Sequence, residues 1–228
     1  MRHIGYSTGA IDPRNLDKAV QKALSFDTRT IEISALRFDE FDPSLNFIEH
    51  LDQSLDISFH VPSAFSDEQE SHITARLLDV VKNRPMHLIL HPDAIHRHSR
   101  WRQLNGHVCI ENMDPRKPVG RDVAELLKVF DRLPEARMCF DIGHAHILDR
   151  TLSLAYEILT AFADRIVEIH ASEVTDSCRH VPTTWTTRNA YHRLVSLFPT
   201  DATVIIESEV KNDSIDREFF ELKKALEC

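Results

Sequence analysis

Two patterns alternate along the whole chain. Short apolar runs rich in Ile, Val and Phe are separated by longer stretches in which apolar residues return every three or four positions. The runs have the length and β-branched content of strands and predict eight of them, at residues 3–6, 30–34, 56–60, 86–91, 107–111, 137–141, 166–170 and 203–207. The stretches between them carry helical spacing. Residues 15–25 place Leu16, Ala19, Val20, Ala23 and Leu24 on one face, and residues 121–133 do the same with Val123, Leu126, Leu127 and Phe130. Further helices fit 43–53, 67–82, 152–163, 186–197 and 214–226. Only residues 92–106 lie between His91 and His107, so the fourth helix has to be short and centres on 98–104. Alternation of this kind predicts parallel β/α units. Eight units close a barrel, and such barrels run about 250 residues and can be nearer 200. The expected fold is one compact α/β domain over 1–228, a (β/α)8 TIM barrel with a short fourth helix.

Six of the predicted strands end on a residue that can bind a metal: His60, His91, Glu111, Asp141, His170 and Glu207. In a parallel barrel all C-terminal strand ends open on one face, where the catalytic groups of this fold sit. Residues two apart share a face, so Ser58, Cys109, Cys139, Glu168 and Ile205 should point inward with the strand-end residues. Cys109 and Cys139 then read as small buried hydrophobes. Glu168 needs a partner, because a buried carboxylate without one is costly.

The loop after the sixth strand, Ile142-Gly143-His144-Ala145-His146, adds His144 and His146, and Ser177-Cys178-Arg179-His180 adds His180. Together His60, His91, Glu111, Asp141, His144, His170, His180 and Glu207 exceed what one ion takes from protein. Two or three divalent ions bridged by a carboxylate would use them, with Glu111, mid-way round the barrel, as the bridge. A mixed imidazole and carboxylate shell suits zinc first, with manganese and iron as alternatives, whereas calcium and magnesium prefer oxygen-only shells. Fourteen histidines are present, and most must be incidental. His3, His50, His72, His96, His98, His107 and His192 fall at strand starts, on helices or in loops and are expected at the surface or as caps. His87 is expected in a hydrogen-bonded core position, and His146 stands between a role beside a ligand and none.

Composition changes this picture only at the edges. With 42% hydrophobic and 28% charged residues the chain is an ordinary globular protein. A net charge of −9 repels polyanions and argues against a nucleic-acid partner. The one local basic run, Arg116-Lys117-Pro118-Val119-Gly120-Arg121, lies in the segment after Glu111. No apolar run approaches membrane-spanning length and no signal-peptide pattern opens the chain, so a cytoplasmic protein without membrane contact is expected. Cysteines 109, 139, 178 and 228 form no CxxC pair and read as reduced thiols.

The ordered strand endings resemble the xylose isomerase-like TIM barrels, and among them are most similar to the endonuclease IV family. The matching features are His60-Val61-Pro62, His91-Pro92, Glu111-Asn112, Cys-Phe-Asp-x-x-His-Ala from Cys139 to Ala145, His170, Arg179-His180 and Glu207, which span nearly the whole chain. The resemblance implies one ion on His60, His91 and Glu111, a second on Glu111, Asp141, His170 and Glu207, and a third on His144 and His180. The chain departs from it at Cys178, where the family has an aspartate; Cys178 either ligates as thiolate or leaves the third site weak. The chain is also short for the family's DNA-inserting loops.

Three enzyme readings follow from the resemblance. In the first, Glu111, Glu207 and His180 serve hydrolysis of a phosphoester in a small anionic substrate, with Arg116, Lys117, Arg121 or Arg179 neutralising its charge. The second is a sugar or sugar-phosphate isomerase or epimerase, in which one ion sits on Glu111, Asp141, His170 and Glu207 and a carboxylate, Glu111 or Glu207, moves a proton at carbon. The third is a multinuclear-iron oxidase of a peptide or small molecule. A barrel that keeps metal without catalysis stands beside them. Hydrolysis is the leading expectation, because a one-ion isomerase has no use for His60 and His91.

Overall fold

The computed structural model describes residues 2–211 and 214–226; Cys228, expected as a free thiol, lies outside them. All eight expected strands form: β1 (Ile4–Ser7), β2 (Thr30–Ser34), β3 (Asp56–His60), β4 (His87–Leu90), β5 (Val108–Glu111), β6 (Arg137–Asp141), β7 (Ile166–Ala171) and, after a short hairpin of β8 (Glu173–Val174) and β9 (His180–Val181), β10 (Thr203–Ile206). The barrel strands are all parallel and close in the order β1-β10-β7-β6-β5-β4-β3-β2. His91 and Glu207 stand one residue beyond their strands.

Period-two alternation sorts the side chains into two layers. Ile31, Ile33, Phe59, Leu88, Leu90, Ile110, Phe140, Ile169, Val204 and Ile206 pack outward into the main core beneath the helices. Ile89, Cys109 and Cys139 form a separate buried cluster, with Val167 against it. This is the inward face that parity predicts for the two cysteines. A bulge at Met138/Cys139 lets β7 carry one extra residue there. Gly5 on β1 allows the tightest approach: a Cβ at that position would lie 2.2 Å from the Thr30 carbonyl oxygen.

The helices are α1 (Thr8–Ile11), α2 (Leu16–Leu24), α3 (Phe38–Glu49), α4 (Asp67–Asn83), α5 (His98–Trp101), α6 (Val123–Arg132), α7 (Ile142–Leu148), α8 (Ser153–Ala161), α9 (Trp185–His192) and α10 (Ile215–Leu226). The fourth unit has the short helix that its spacing requires. α3 starts before its expected position at Pro43, because the Glu40 carboxylate accepts from the Arg37 backbone N–H at 3.0 Å and places acidic residues in the first turn. Residues 142–148 form a helix where a loop was expected. Asp141 caps it, accepting from the His144 N–H at 2.6 Å. Among the described residues no helix is long and apolar enough to cross a membrane.

The last helix locks the mouth of the barrel. Glu218 of α10 is buried, and its Oε1 accepts from Thr183 N (2.8 Å), Thr183 Oγ1 (3.0 Å) and Ser208 Oγ (2.8 Å). Those partners lie just past His180 and Glu207, so one carboxylate fixes the chain after two strand-end residues. Glu218→Ala leaves three buried donors without an acceptor and should cost about 3 kcal/mol of stability, measured by urea unfolding. An unchanged midpoint would show that the clamp contributes nothing.

Candidate metal centre at the mouth of the barrel

The strand ends converge as the parallel topology requires. A cavity of about 150 Å³ opens at the C-terminal mouth, lined by His60, His91, Glu111, His144, His180 and Glu207, with Arg116 and Lys117 also on its wall. A larger cavity of about 1100 Å³ opens at the opposite end, where half-buried His87 lies beside Asp56 and Arg137. His87 is therefore not in the core. The larger space holds none of the eight candidate ligands, and in this fold chemistry belongs to the other end.

Glu111 is the hub of the mouth. Its Oε2 faces His60 Nε2 at 3.4 Å and His91 Nε2 at 3.0 Å, and its Oε1 faces His170 Nδ1 and His144 Nδ1, each at 3.5 Å. Glu207 Oε2 lies 3.3 Å from His170 Nδ1, and His144 Nε2 lies 3.3 Å from His180 Nε2. Three overlapping groups have ligand atoms within 4.8 Å of one another: His60, His91 and Glu111; Glu111, Asp141, His170 and Glu207; Asp141, His144 and His180. All eight expected ligands are thus brought together.

This donor set fits divalent ions. Ligand atoms placed tetrahedrally about 2.1 Å from an ion are about 3.4 Å apart, close to the separations around Glu111 and Glu207. Glu111 Oε2, Asp141 Oδ2 and His170 Nδ1 are buried without a hydrogen-bond partner, which a native interior seldom tolerates unless something else satisfies them. Imidazole orientation agrees. A carbonyl can only accept, so Val61 O takes the Nδ1–H of His60 (2.9 Å) and Asn112 O that of His144 (2.9 Å), which makes Nε2 the nitrogen that each ring can offer to an ion. His170 is turned the other way, with its Nε2 between Glu32 (3.1 Å) and Glu168 (3.2 Å) and its Nδ1 toward the mouth. Glu168 thereby meets the partner that its burial demanded.

Several contributors carry no strand-end signal. Glu32 sits inside the run Thr30-Ile31-Glu32-Ile33-Ser34 and is fully buried; a carboxylate flanked by isoleucines on an inward position was the available clue. Asn112 explains the Glu-Asn pair: its side chain exchanges two 2.8 Å hydrogen bonds with the Asp141 backbone, and its carbonyl holds His144. Ser172 Oγ lies 2.8 Å from His180 Nδ1, and the Ser172 carbonyl accepts from Tyr191 OH. His146 packs edge-on against Tyr191, two steps from the ligands. Cys178 is buried with a positive φ of 54° in the turn before β9. Burial and the neighbouring Asp114 carboxylate push its thiol up. Asp114, from the loop after β5, lies 3.9 Å from His144 Nε2, so a carboxylate approaches the third group from a different strand.

The basic residues divide. Arg116 is paired with Asp114 through Nε (3.1 Å) and Nη2 (2.5 Å), and Lys117 with Asp93 at 2.9 Å. Arg121 pairs with Glu125 and Arg179 with Glu209, and neither arginine lines the cavity. Trp185 is 73% exposed and outside the cavity lining.

The charges are strongly linked. Burial works against a charge on His60, but Glu111, Glu32 and Glu207 outweigh it and hold its pKa at about 9. Burial also opposes ionisation of Glu111, yet the facing imidazoles of His91, His170 and His60 keep its carboxyl well below the usual range. For Asp141, burial wins and raises it. His60 in the metal-free fold is protonated at neutral pH, and an ion at Nε2 must displace that proton. Affinity for zinc should therefore rise between pH 6.5 and 9, by about tenfold per unit for each proton displaced, as read by chelator competition. Because the folded pKa exceeds the unfolded value of 6.5, this charge stabilises the metal-free fold fully below pH 6.5 and is lost as pH climbs through 9. Zinc affinity that is flat over this window would contradict the assignment of His60 as a ligand.

No protein-family model and no curated protein matches the sequence. Solved structures do. They include a D-tagatose 3-epimerase-like protein, with a TM-score of 0.71 at 14% identity over 99% of this chain and 97% of that one. A structure described as AsfvAP:AG gives 0.65 at 13% identity over 99% of each chain, and L-ribulose 3-epimerase gives 0.59 at 12% over 99% and 91%. At these identities the likeness is one of fold. The chain shares the fold of these structures, a closed (β/α)8 barrel.

Proposed function

We propose that the protein is a metal-dependent hydrolase acting on a phosphoester of a small anionic molecule at a centre of two or three ions, zinc being the first choice. The observation that carries this reading is the position of Glu111, whose Oε2 faces the Nε2 atoms of His60 and His91 while its Oε1 faces Nδ1 of His170. That is the arrangement of a bridging carboxylate. Ions held there would activate water and neutralise the leaving oxygen.

The chain's own groups supply the rest. Glu207 is 14% and His180 22% exposed at the side chain, and Glu207 Oε2 lies 3.5 Å from His180 Nδ1, so the pair can pass a proton between the mouth and solvent. Lys117 and Arg116 line the cavity and can turn from Asp93 and Asp114 toward a phosphate. A cavity of about 150 Å³ admits only a small group at the reacting centre, and the acidic chain disfavours nucleic acid. Arg121 and Arg179 are retained only as outlying cations that would serve a larger substrate.

A second reading has its own support. Glu111, Asp141, His170 and Glu207 alone could hold one ion, and two of the structures of similar fold are named as epimerases or epimerase-like. The two readings differ over His60 and His91. In the hydrolytic reading Glu111→Gln loses more than one equivalent of metal by mass spectrometry, and His91→Ala lowers kcat for phosphoester cleavage by about 100-fold or more while the ion on Glu207 remains. Loss of a single ion from Glu111→Gln would remove the bridge. Sugar or sugar-phosphate epimerisation that survives His91→Ala intact would favour the one-ion reading.

A further inference from the structure

The cavity at the mouth holds about 150 Å³, room for the ions and a phosphoryl group and little more, so the rest of a substrate has to extend into neighbouring space. A second cavity, of about 240 Å³, lies beside it, and the two share Gly9 and Leu36 in their walls. Together they reach the size, about 300 Å³, at which small-molecule sites begin. The partition between them is thin. Gly9 contributes no side chain, and a Cβ there would lie 3.5 Å from Leu36 Cδ2, so the leucine side chain itself stands over Gly9. Its main chain is anchored, because the preceding Ala35 N–H donates to the His60 carbonyl at 3.0 Å. The side chain is 41% exposed. A fixed backbone with an open side chain makes Leu36 a partition that can turn aside.

The second cavity is lined by the apolar Leu16 and Pro43 and by the charged Asp12, Arg14, Asp39 and Glu40. Its carboxylates are already paired: Asp12 with Lys18 at 3.4 Å, Asp39 with Arg37 at 3.5 Å, and Glu40 with Arg37 as well. Arg14 differs from them. Its backbone N–H donates to Asp12 Oδ1 at 3.3 Å, but among the described residues no carboxylate forms an ion pair with its guanidinium. The fork of donors on Arg14 is therefore uncommitted, and such a fork matches a carboxylate or a phosphate.

We propose that the second cavity receives the organic half of the substrate, that this half is a short apolar chain ending in a second anionic group held by Arg14, and that Leu36 sets the length admitted. The proposal rests on the phosphoester reading of the mouth. It narrows the substrate class to elongated molecules with an anion at each end, one at the ions and one at Arg14. Leu16, Pro43 and the turned Leu36 would cover the apolar chain between them.

The test measures binding by the zinc-loaded full chain, using calorimetry with two series of phosphonates that cannot be hydrolysed. Alkyl phosphonates of increasing chain length report on the mouth alone, and ω-carboxyalkyl phosphonates of the same lengths add the second anion. Beyond the length that passes Leu36, the carboxylated series should bind about fivefold tighter, the gain expected of one exposed ion pair. Arg14→Ala removes that gain, and Leu36→Trp, which thickens the partition, removes it too; the ratio of the two series is read within each variant, so a general loss of fold or metal does not imitate the result. Equal binding of both series to the wild type overturns the second cavity as a subsite and leaves the phosphoester reading standing. A gain that survives either substitution overturns the role given to that residue. Failure of every phosphonate to bind overturns this proposal and the phosphoester reading together.

Discussion

The structure depends on one buried carboxylate that faces four imidazoles at the cavity of the barrel mouth. Glu111 is 1% exposed, and its partners His60, His144 and His170 are buried with it. Counting outward, Glu32, Asp141, Glu168 and Glu207 crowd the same few ångströms. Burying one such charge costs several kcal/mol even after relaxation, so a barrel can hold this many only if opposite charge is placed among them. Protons can do so: against burial, the surrounding carboxylates hold the pKa of His60 at about 9, and that of His170 is also raised well above the usual imidazole range. Divalent ions would do so with more charge per site, through the same nitrogen lone pairs that the protons use. Protonated and metal-loaded forms are therefore alternatives that exclude one another at the same atoms.

What keeps these groups from relaxing apart is the apolar layer outside them. The strands are gripped between helices by Ile31, Phe59, Leu88, Phe140 and Ile206, all fully buried. Neighbouring strands are held in register, so Glu111 lies beside Cys139, and Asp141 beside His170. The mouth cannot swell to separate its carboxylates without breaking that ladder. Asn112, Ser172 and Glu218 complete the restraint by fixing loops that the sheet does not reach. Gly143 shows how tight the result is: a Cβ there would meet the Ser172 carbonyl at 2.8 Å and Val174 Cγ2 at 2.7 Å, so α7 could not bring His144 over the mouth in its present position.

Much of this was legible because two periods coincide with chemistry. Period two fixes which strand residues face inward, and parallel topology fixes which end they share, so His60, Glu111, Asp141, His170 and Glu207 could be placed before any coordinates. The same reasoning put Cys109 and Cys139 inside. It failed where the signal is not periodic. Glu32 lies in mid-strand and does not end a run. Asp114 is on a loop whose path depends on its pairing with Arg116. α7 was taken for a loop because its seven residues are too few to display helical spacing, and its N-terminal cap is Asp141, already assigned as a ligand. Arg121 and Arg179 looked like substrate contacts from their neighbours in sequence, whereas each has a carboxylate nearby that holds it outside the cavity lining.

The arrangement of Glu111 also weighs on which reaction the mouth can run. A carboxylate that moves a proton at carbon needs one oxygen free to reach the substrate and to change protonation during turnover. Glu111 is poorly suited, since imidazoles occupy the space in front of both its oxygens and hold its carboxyl in the ionised form. Glu207 is the better candidate because it is more exposed and its contacts converge on a single oxygen, Oε2, shared between His170 and His180. One-ion proton transfer would thus have to rely on Glu207 and leave His60 and His91 unexplained. Hydrolysis across bridged ions uses Glu111 in the ionised, doubly engaged state in which the fold already holds it, and this is the physical reason to prefer it.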